Sequence, residues 1–219
     1  MEIRPVAFFR SPFKEKFGIP RQAGLAPGLK GRIEFTSEFS SPDAVRGLEG
    51  FEYIWLVWGF SMNEEGGLTV RPPRLGGNER VGVFASRSPF RPNRLGLSSV
   101  RLEKIENNSI LVSGADLADG TPIYDIKPYI EYTDSHTDVR CGFVERREWE
   151  KLEVFLPENL PEDLEDIEGL VQALEQDPRP HYQNSPEKTY GMNYSGYEIR
   201  FKVDEKKLSV LGMTRNGKI

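Results

Sequence analysis

Three arginines share one short loop, Arg87-Ser88-Pro89-Phe90-Arg91-Pro92-Asn93-Arg94. A guanidinium donates hydrogen bonds in pairs, and carboxylates and phosphates accept them in pairs, so these side chains suit anion binding. Pro89 and Pro92 fix φ and stiffen the loop. Over residues 71–101 there are seven arginines and one acidic residue, Glu79, although the whole chain has 29 basic and 34 acidic residues and a net charge of −5. Cations gathered on one segment of an acidic protein point to an anion-binding face more than to a solubility device. A second stretch, Pro20-Arg21-Gln22-Ala23-Gly24, offers a cation, an amide and a flexible backbone, which suits a polar pocket wall as well as it suits a plain surface loop. A third, Ile123-Tyr124-Asp125-Ile126-Lys127, alternates in polarity. On a strand it places Asp125 and Lys127 on one face and Tyr124 and Ile126 on the other.

The elements that must position these groups are mainly strands. Residues 81–84 read as a buried strand leading into the arginine loop, and Leu97, Val100, Leu102 and Ile105 as the strand leaving it. A loop held between strands has a fixed position. Residues 3–9, 31–35, 51–60 and 109–117 are further strands, and 51–60 is so aromatic and branched that burial on both faces is expected. Residues 42–48 read as one helical turn with Ser41 or Asp43 at its start. Residues 61–75 form a long polar loop and 119–122 a tight turn. The tetrapeptide Arg-Ser-Pro-Phe occurs at 10–13 and again at 87–90, but the flanks differ and the interval is too long for a solenoid repeat.

Polar residues cluster over 131–137, which divides the chain into a mainly β domain, 1–135, and a small α+β domain, 136–219. In the second, residues 139–143 and 151–155 are strand candidates, and 197–203 with 208–213 read as a hairpin. Residues 161–176 read as the one clear helix. Leu164, Ile167, Leu170, Val171 and Leu174 make an apolar stripe, and four acids favour the positive N-terminal end.

Composition closes off several classes. The longest apolar run, residues 53–60, is strand length, far below the ~18 residues of a membrane span. The first residues lack a signal-peptide pattern, and the single Cys141 fits a reducing compartment, so a cytoplasmic protein is expected. Two histidines, His136 and His181, and one cysteine, Cys141, do not give the ligand spacing of a zinc cage, and no metal is expected. There is no Gly-rich dinucleotide fingerprint, Walker loop or Gly-x-Ser-x-Gly elbow. A pI near 5.3 argues against a broad nucleic-acid coat, although a local basic patch is enough to hold phosphates.

Four stretches carry a more specific signal. Pro20-Arg21-Gln22, the run from Val70 to Asn78, the run from Ser86 to Ser98 and Asp119-Gly120-Thr121-Pro122-Ile123-Tyr124-Asp125-Ile126-Lys127-Pro128-Tyr129 together resemble the TsaA/TrmO-like family of S-adenosylmethionine-dependent tRNA methyltransferases. The resemblance continues to Gln176-Asp177-Pro178-Arg179-Pro180-His181-Tyr182 and so spans nearly the whole chain. It implies a single-sheet β-barrel in the first domain, a homodimer, and methylation of N6 of threonylcarbamoyladenosine beside the tRNA anticodon. It implies cofactor contacts from Pro20, Arg21, Gln22, Ser61, Met62, Arg87, Leu97, Asp119, Gly120, Thr121 and Pro122. Ser61-Met62 departs from the His-Gln pair expected of bacterial relatives.

Within that reading the sulfonium is an activated donor, and catalysis is mostly alignment. Asp125 is the candidate base, with Lys127 or Tyr124 orienting it; alternatively Asp125 and Lys127 are a structural ion pair. Arg91, Arg94 and Arg101 suit tRNA phosphates, and Arg179 and Tyr182 the anticodon stem-loop. Two other classes compete: a non-catalytic RNA- or nucleotide-binding barrel, and a small-molecule methyltransferase.

Overall fold

The computed structural model describes residues 2–63, 66–72, 79–146, 150–180 and 185–217. The expected roles of the 73–78 stretch and of His181 and Tyr182 lie outside the described residues.

Strands β1 (Ala7–Arg10), β2 (Lys30–Phe35), β3 (Tyr53–Gly59), β6 (Leu95–Glu106), β7 (Ser109–Ser113) and β8 (Pro122–Pro128) close an antiparallel barrel in the order β1-β2-β7-β6-β3-β8. The barrel core holds Phe9, Ile33, Ile54, Leu56, Ile110 and Ile123. β3 is not buried on both faces: Ile54, Leu56 and Trp58 point inward while Tyr53 is exposed. In an antiparallel barrel one face of every strand meets solvent, and aromatic composition cannot reveal that. On β8 a bulge lies opposite Val57 and Trp58, so Ile123 and Ile126 both pack into the core although they are three residues apart. The extra residue breaks the strict alternation expected for 123–127.

Residues 81–84 do not form a buried strand. Only β5 (Val81–Gly82) pairs, with β4 (Thr69–Val70), and 83–85 turn into a 3-10 helix that leaves Phe84 76% exposed. Residues 42–45 form the expected turn, capped by the Ser41 hydroxyl accepting from Asp43 N. A single turn, α1 (Glu131–Asp134), follows β8.

The second sheet runs β10-β11-β12-β9 from β9 (Glu153–Phe155), β10 (Tyr190–Tyr194), β11 (Tyr197–Asp204) and β12 (Lys207–Arg215), with β9 parallel to β12. β10 was not legible: Gly191 and Asn193 depress its strand character. Residues 142–146 are 3-10 helix rather than strand. Helix α2 (Ile167–Glu175) starts six residues later than the apolar stripe suggests, because Asp166 sits at φ 55 and caps it by accepting from Gly169 N at 3.2 Å.

The second core draws on both halves of the chain. Phe13, Ala26 and Leu29, from the loop between β1 and β2, pack with Leu170 and Leu174 of α2 and with Tyr194, Ile199 and Phe201 of the sheet. Gly28 N donates to Gln172 Oε1 at 2.6 Å, Lys30 N to Asp166 Oδ2 at 2.8 Å, and Gln176 Nε2 to Leu25 O at 3.1 Å. The second unit is therefore completed by the β1–β2 loop, so residues 1–135 do not hold all of their apolar side chains within the barrel.

Candidate active site

One mouth of the barrel carries a cavity of about 520 Å³, inside the range typical of small-molecule sites. Five segments meet there: Lys16 to Ala23 of the β1–β2 loop, the end of β3 with Phe60 to Asn63, the arginine loop, the start of β6, and the stretch from Asp116 to Thr121.

The β3–β6 pair makes an aromatic wall. Trp58 lies opposite Gly96, and a Cβ at Gly96 would overlap the indole, so only glycine lets the ring lie flat on the neighbouring strand. Trp58 meets Phe60 edge-on at 4.3 Å. Leu97, 60% exposed, stands on the rim.

The arginine loop is self-braced. Arg91 Nη1 donates to Ser86 O at 3.0 Å and Ser88 O at 3.4 Å, and Arg94, in the left-handed region at φ 48, donates to Asn63 O at 3.1 Å. Arg87 reaches across the cavity wall, where its Nη1 donates to Gln22 Oε1 at 2.6 Å. Gln22 Nε2 in turn donates to Arg21 O at 2.6 Å. Side chains sixty-five positions apart are thereby joined on one surface.

The 119–122 turn is tied to the first Arg-Ser-Pro-Phe segment. Asp119 Oδ1 accepts from Ser11 N at 3.2 Å, Asp119 N donates to Phe13 O, and Gly120, at φ 75, donates to Phe9 O, both at 2.8 Å. Thr121 is buried and lines the cavity.

Of the expected site residues, Pro20, Arg21, Gln22, Ser61, Met62, Arg87, Leu97 and Thr121 line this cavity, and so does Arg91. Asp119, Gly120 and Pro122 flank Thr121 but do not line it. The expected base and its neighbours lie elsewhere. Asp125 and Lys127 pair at 2.8 Å on the solvent side of β8, and neither lines the cavity. Tyr124 stands behind Gly59, where a Cβ would come within 2.9 Å of its ring. Arg101 pairs with Glu52 at 3.1 Å outside the cavity. Arg179 is 8% exposed and its guanidinium grips both oxygens of Asp177 at 2.8 and 2.9 Å, which is the placement of an anchor within the fold rather than of a surface grip on RNA. Its carbonyl accepts from Arg21 Nη2 at 3.4 Å and links the second unit to the cavity wall.

Sequence reading missed the cavity's carboxylate. Trp58 Nε1 donates to Ser98 Oγ at 2.9 Å, and Ser98 Oγ donates to Asp116 Oδ1 at 2.6 Å. Burial pushes the Asp116 carboxyl above its ordinary range, against the Ser98 hydroxyl, two backbone N–H groups and the charge of Arg87. The signal was present: Asp116 is the lone charge in the otherwise uncharged run from 110 to 118.

Fold and site define a two-unit protein: a closed antiparallel barrel whose mouth combines arginines, aromatic rings and, among the described residues, one sequestered carboxylate, joined to a small α+β unit. The family model described as "tRNA-methyltransferase O N-terminal domain" matches residues 8–135, and that described as "TrmO C-terminal domain" matches 150–216. The chain belongs to the tRNA-methyltransferase O family. It is 37% identical to the Escherichia coli tRNA (adenine(37)-N6)-methyltransferase, with 97% of each chain covered. It is 42% identical, over 91% of each chain, to a Pseudomonas aeruginosa protein named as an S-adenosylmethionine-dependent methyltransferase. A crystal structure of TrmO from Pseudomonas aeruginosa superposes with a TM-score of 0.81 at 32% identity, covering 98% of both chains.

Proposed function

We propose that this protein transfers a methyl group from S-adenosylmethionine to N6 of adenosine 37 in tRNA, and that the adenosine methylated is the threonylcarbamoylated form. One observation carries the reading. Pro20-Arg21-Gln22, Arg87, Leu97 and Thr121, far apart in sequence, line a single cavity in a chain of this family.

The residues present fit the cofactor. Arg87 and the Gln22 amide offer paired polar groups suited to a carboxylate, while Trp58, Phe60 and Leu97 offer apolar surface suited to a purine. When bound, S-adenosylmethionine supplies an already activated methyl group. What remains for the protein is to hold the accepting nitrogen in line and to keep competing water out. The braced arginine loop and the glycine-backed indole are rigid features of the kind such alignment requires.

A second cavity of about 1230 Å³ shares Arg21, Gln22, Ser86, Arg87 and Pro89 with the first and extends past Phe84, Phe90 and Arg71. It supports placing the RNA there, with phosphates held by Arg91, which lines the first cavity, and by Arg94 of the same loop. Exposed Leu68, Phe84 and Phe90 in the same region support the homodimer. Light scattering is expected to give twice the 24.9 kDa of one chain. A tRNA substrate also favours a cytoplasmic protein; among the described residues no helix is long and apolar enough to cross a membrane.

The deciding assay incubates the protein with methyl-labelled S-adenosylmethionine and threonine-decoding tRNA, with and without the threonylcarbamoyl group. Label on modified tRNA alone is the expected outcome. Cofactor binding without transfer would favour a binding module, and label on a metabolite a small-molecule enzyme.

A further inference from the structure

We propose that Asp116, not Asp125, is the catalytic base of this site, accepting the proton that leaves the methylated nitrogen, and that Ser98 and Trp58 are its positioning residues. The assignment rests on the methyltransferase reading above.

Three observations carry it. First, Asp116 is the one carboxylate among the described residues lining the 520 Å³ cavity, whereas Asp125 is outside it and neutralised by Lys127. Second, Asp116 is held rather than free. Ser98, itself 2% exposed, donates to Oδ1, and Trp58 donates to that same hydroxyl. The chain of two bonds fixes Oδ1 against Ser98, two backbone N–H groups steady the same carboxylate, and its lone pairs outnumber these donors. Third, these residues come from both sides of the cleft. Trp58 and Ser98 lie on β3 and β6, and Asp116 lies on the segment whose far end is Thr121, so the carboxylate borders the same space as Arg87 and Leu97.

The chemistry balances without a further reactant. The carbon–sulfur bond to the methyl group breaks and its electron pair stays on sulfur, which leaves as a neutral thioether. The nitrogen's pair forms the new carbon–nitrogen bond, and the N–H proton passes to Asp116. The carboxylate returns that proton to solvent after product leaves. A carboxylate among apolar walls is a stronger base than one in water, and a ureido nitrogen is a modest acid, so the two are matched better than an exposed, lysine-paired aspartate would be. Among the described residues, the charged groups facing Asp116 are Arg87, with Lys16, Arg21 and Arg91 on the same cavity. All are basic side chains.

The test uses the full-length protein, methyl-labelled S-adenosylmethionine and threonylcarbamoylated tRNA. Asp116→Asn is expected to lower kcat by ~100-fold or more while the cofactor Kd, measured by calorimetry, stays within about threefold. Ser98→Ala keeps the acid but removes its hydroxyl donor, so the acidic limb of the kcat/KM profile is expected to rise by about one pH unit. In the ligand-free protein the indole N–H resonance of Trp58 is expected to titrate with the carboxylate and to lose that titration in Asp116→Asn. Should Asp116→Asn fail to fold, the Ser98→Ala profile and the wild-type resonance decide. Undiminished kcat in Asp116→Asn, a loss confined to cofactor affinity, an unmoved Ser98→Ala profile, a flat Trp58 resonance or a larger loss in Asp125→Asn overturns the assignment alone. No methyl transfer by the wild-type protein overturns the functional reading and the assignment with it.

Discussion

The Arg-Ser-Pro-Phe segments at 10–13 and 87–90 have identical sequence and opposite fates. In the first, Phe13 is fully buried in the second core, Ser11 N caps the Asp119 carboxylate, and Arg10 lies outward against Glu34 at 2.7 Å. In the second, Phe90 is 45% exposed, Ser88 caps its own loop, and Arg87, also exposed, lines the cavity and donates to Gln22. The first follows a barrel strand directly, so its phenylalanine is carried across to α2 and the second sheet. The second lies between a 3-10 turn and β6, and none of its four residues belongs to either apolar core. The same four side chains therefore act as a structural rivet in one place and as site furniture in the other, and what differs is which apolar surface lies within reach.

The largest effect that can break this comparison is on stability. Phe13→Ala is expected to cost about 3–5 kcal/mol, read as a drop in Tm, because the cavity left in the second core cannot collapse fully. Phe90→Ala is expected to stay within about 0.5 kcal/mol. Equal losses would mean that exposure has misled us about Phe90.

The arginines should show the reverse order. Arg87→Ala is expected to lower kcat/KM about 10- to 100-fold with the fold intact, as expected when a charged hydrogen bond to a ligand is lost. Arg10→Ala removes only a half-exposed ion pair, worth about 0–1 kcal/mol, and should leave activity alone. Wild-type turnover in Arg87→Ala would take Arg87 out of the site.

Backbone space offers a sharper probe of intermediate size. Gly96→Ala pushes a methyl group into the Trp58 indole and is expected to cost about 1–3 kcal/mol and to weaken cofactor binding. Gly82→Ala, where a Cβ meets nothing, serves as the silent comparison.

The smallest effects are in pH. Folding raises the Asp116 carboxyl above its unfolded value, so its ionisation opposes folding once pH exceeds the ordinary carboxylate range. Asp116→Asn should thus raise Tm at neutral pH, and the gain should fade as pH falls below ~4. Asp134 is the opposite case. The N–H groups of Ile130 and Trp55 hold its carboxyl below its ordinary range, so its contribution is present at neutral pH and is lost as pH falls through the lowered value. Thermal melts of Asp134→Asn against pH check this sign.

Much of the molecule was legible from residue order. The strands read at 31–35, 51–60 and 197–203 from branched and aromatic content, and at 123–127 from alternating polarity, are Lys30–Phe35, Tyr53–Gly59, Tyr197–Asp204 and Pro122–Pro128, because such side chains suit a pleated surface. The cavity-lining loop residues followed from motif likeness, since loops carry their polar groups in plain view of the sequence. The failures share a cause. The 81–84 run is apolar yet buries only Val83, α2 begins late because of one left-handed aspartate, and the β8 bulge puts Ile123 on the core face with Ile126, where alternation assigns it to the face of Asp125 and Lys127. Each depends on a register or a neighbour that local composition does not encode.

Sequence alone determined the chemistry available to this protein: a mainly β chain, an arginine-dense segment in an acidic background, and motifs of a methyltransferase family. Tertiary structure alone decided which copy of the repeated tetrapeptide and which acid border the cavity. Closing the barrel brings residues 20–22, 58, 87, 98, 116 and 121 around one cavity, and turns Asp125 and Arg179 to structural pairing. The physical reason is that residue type sets what a group can do, whereas burial, partners and protonation are set by what lies across the cleft, and strand pairing places that neighbour tens of residues away.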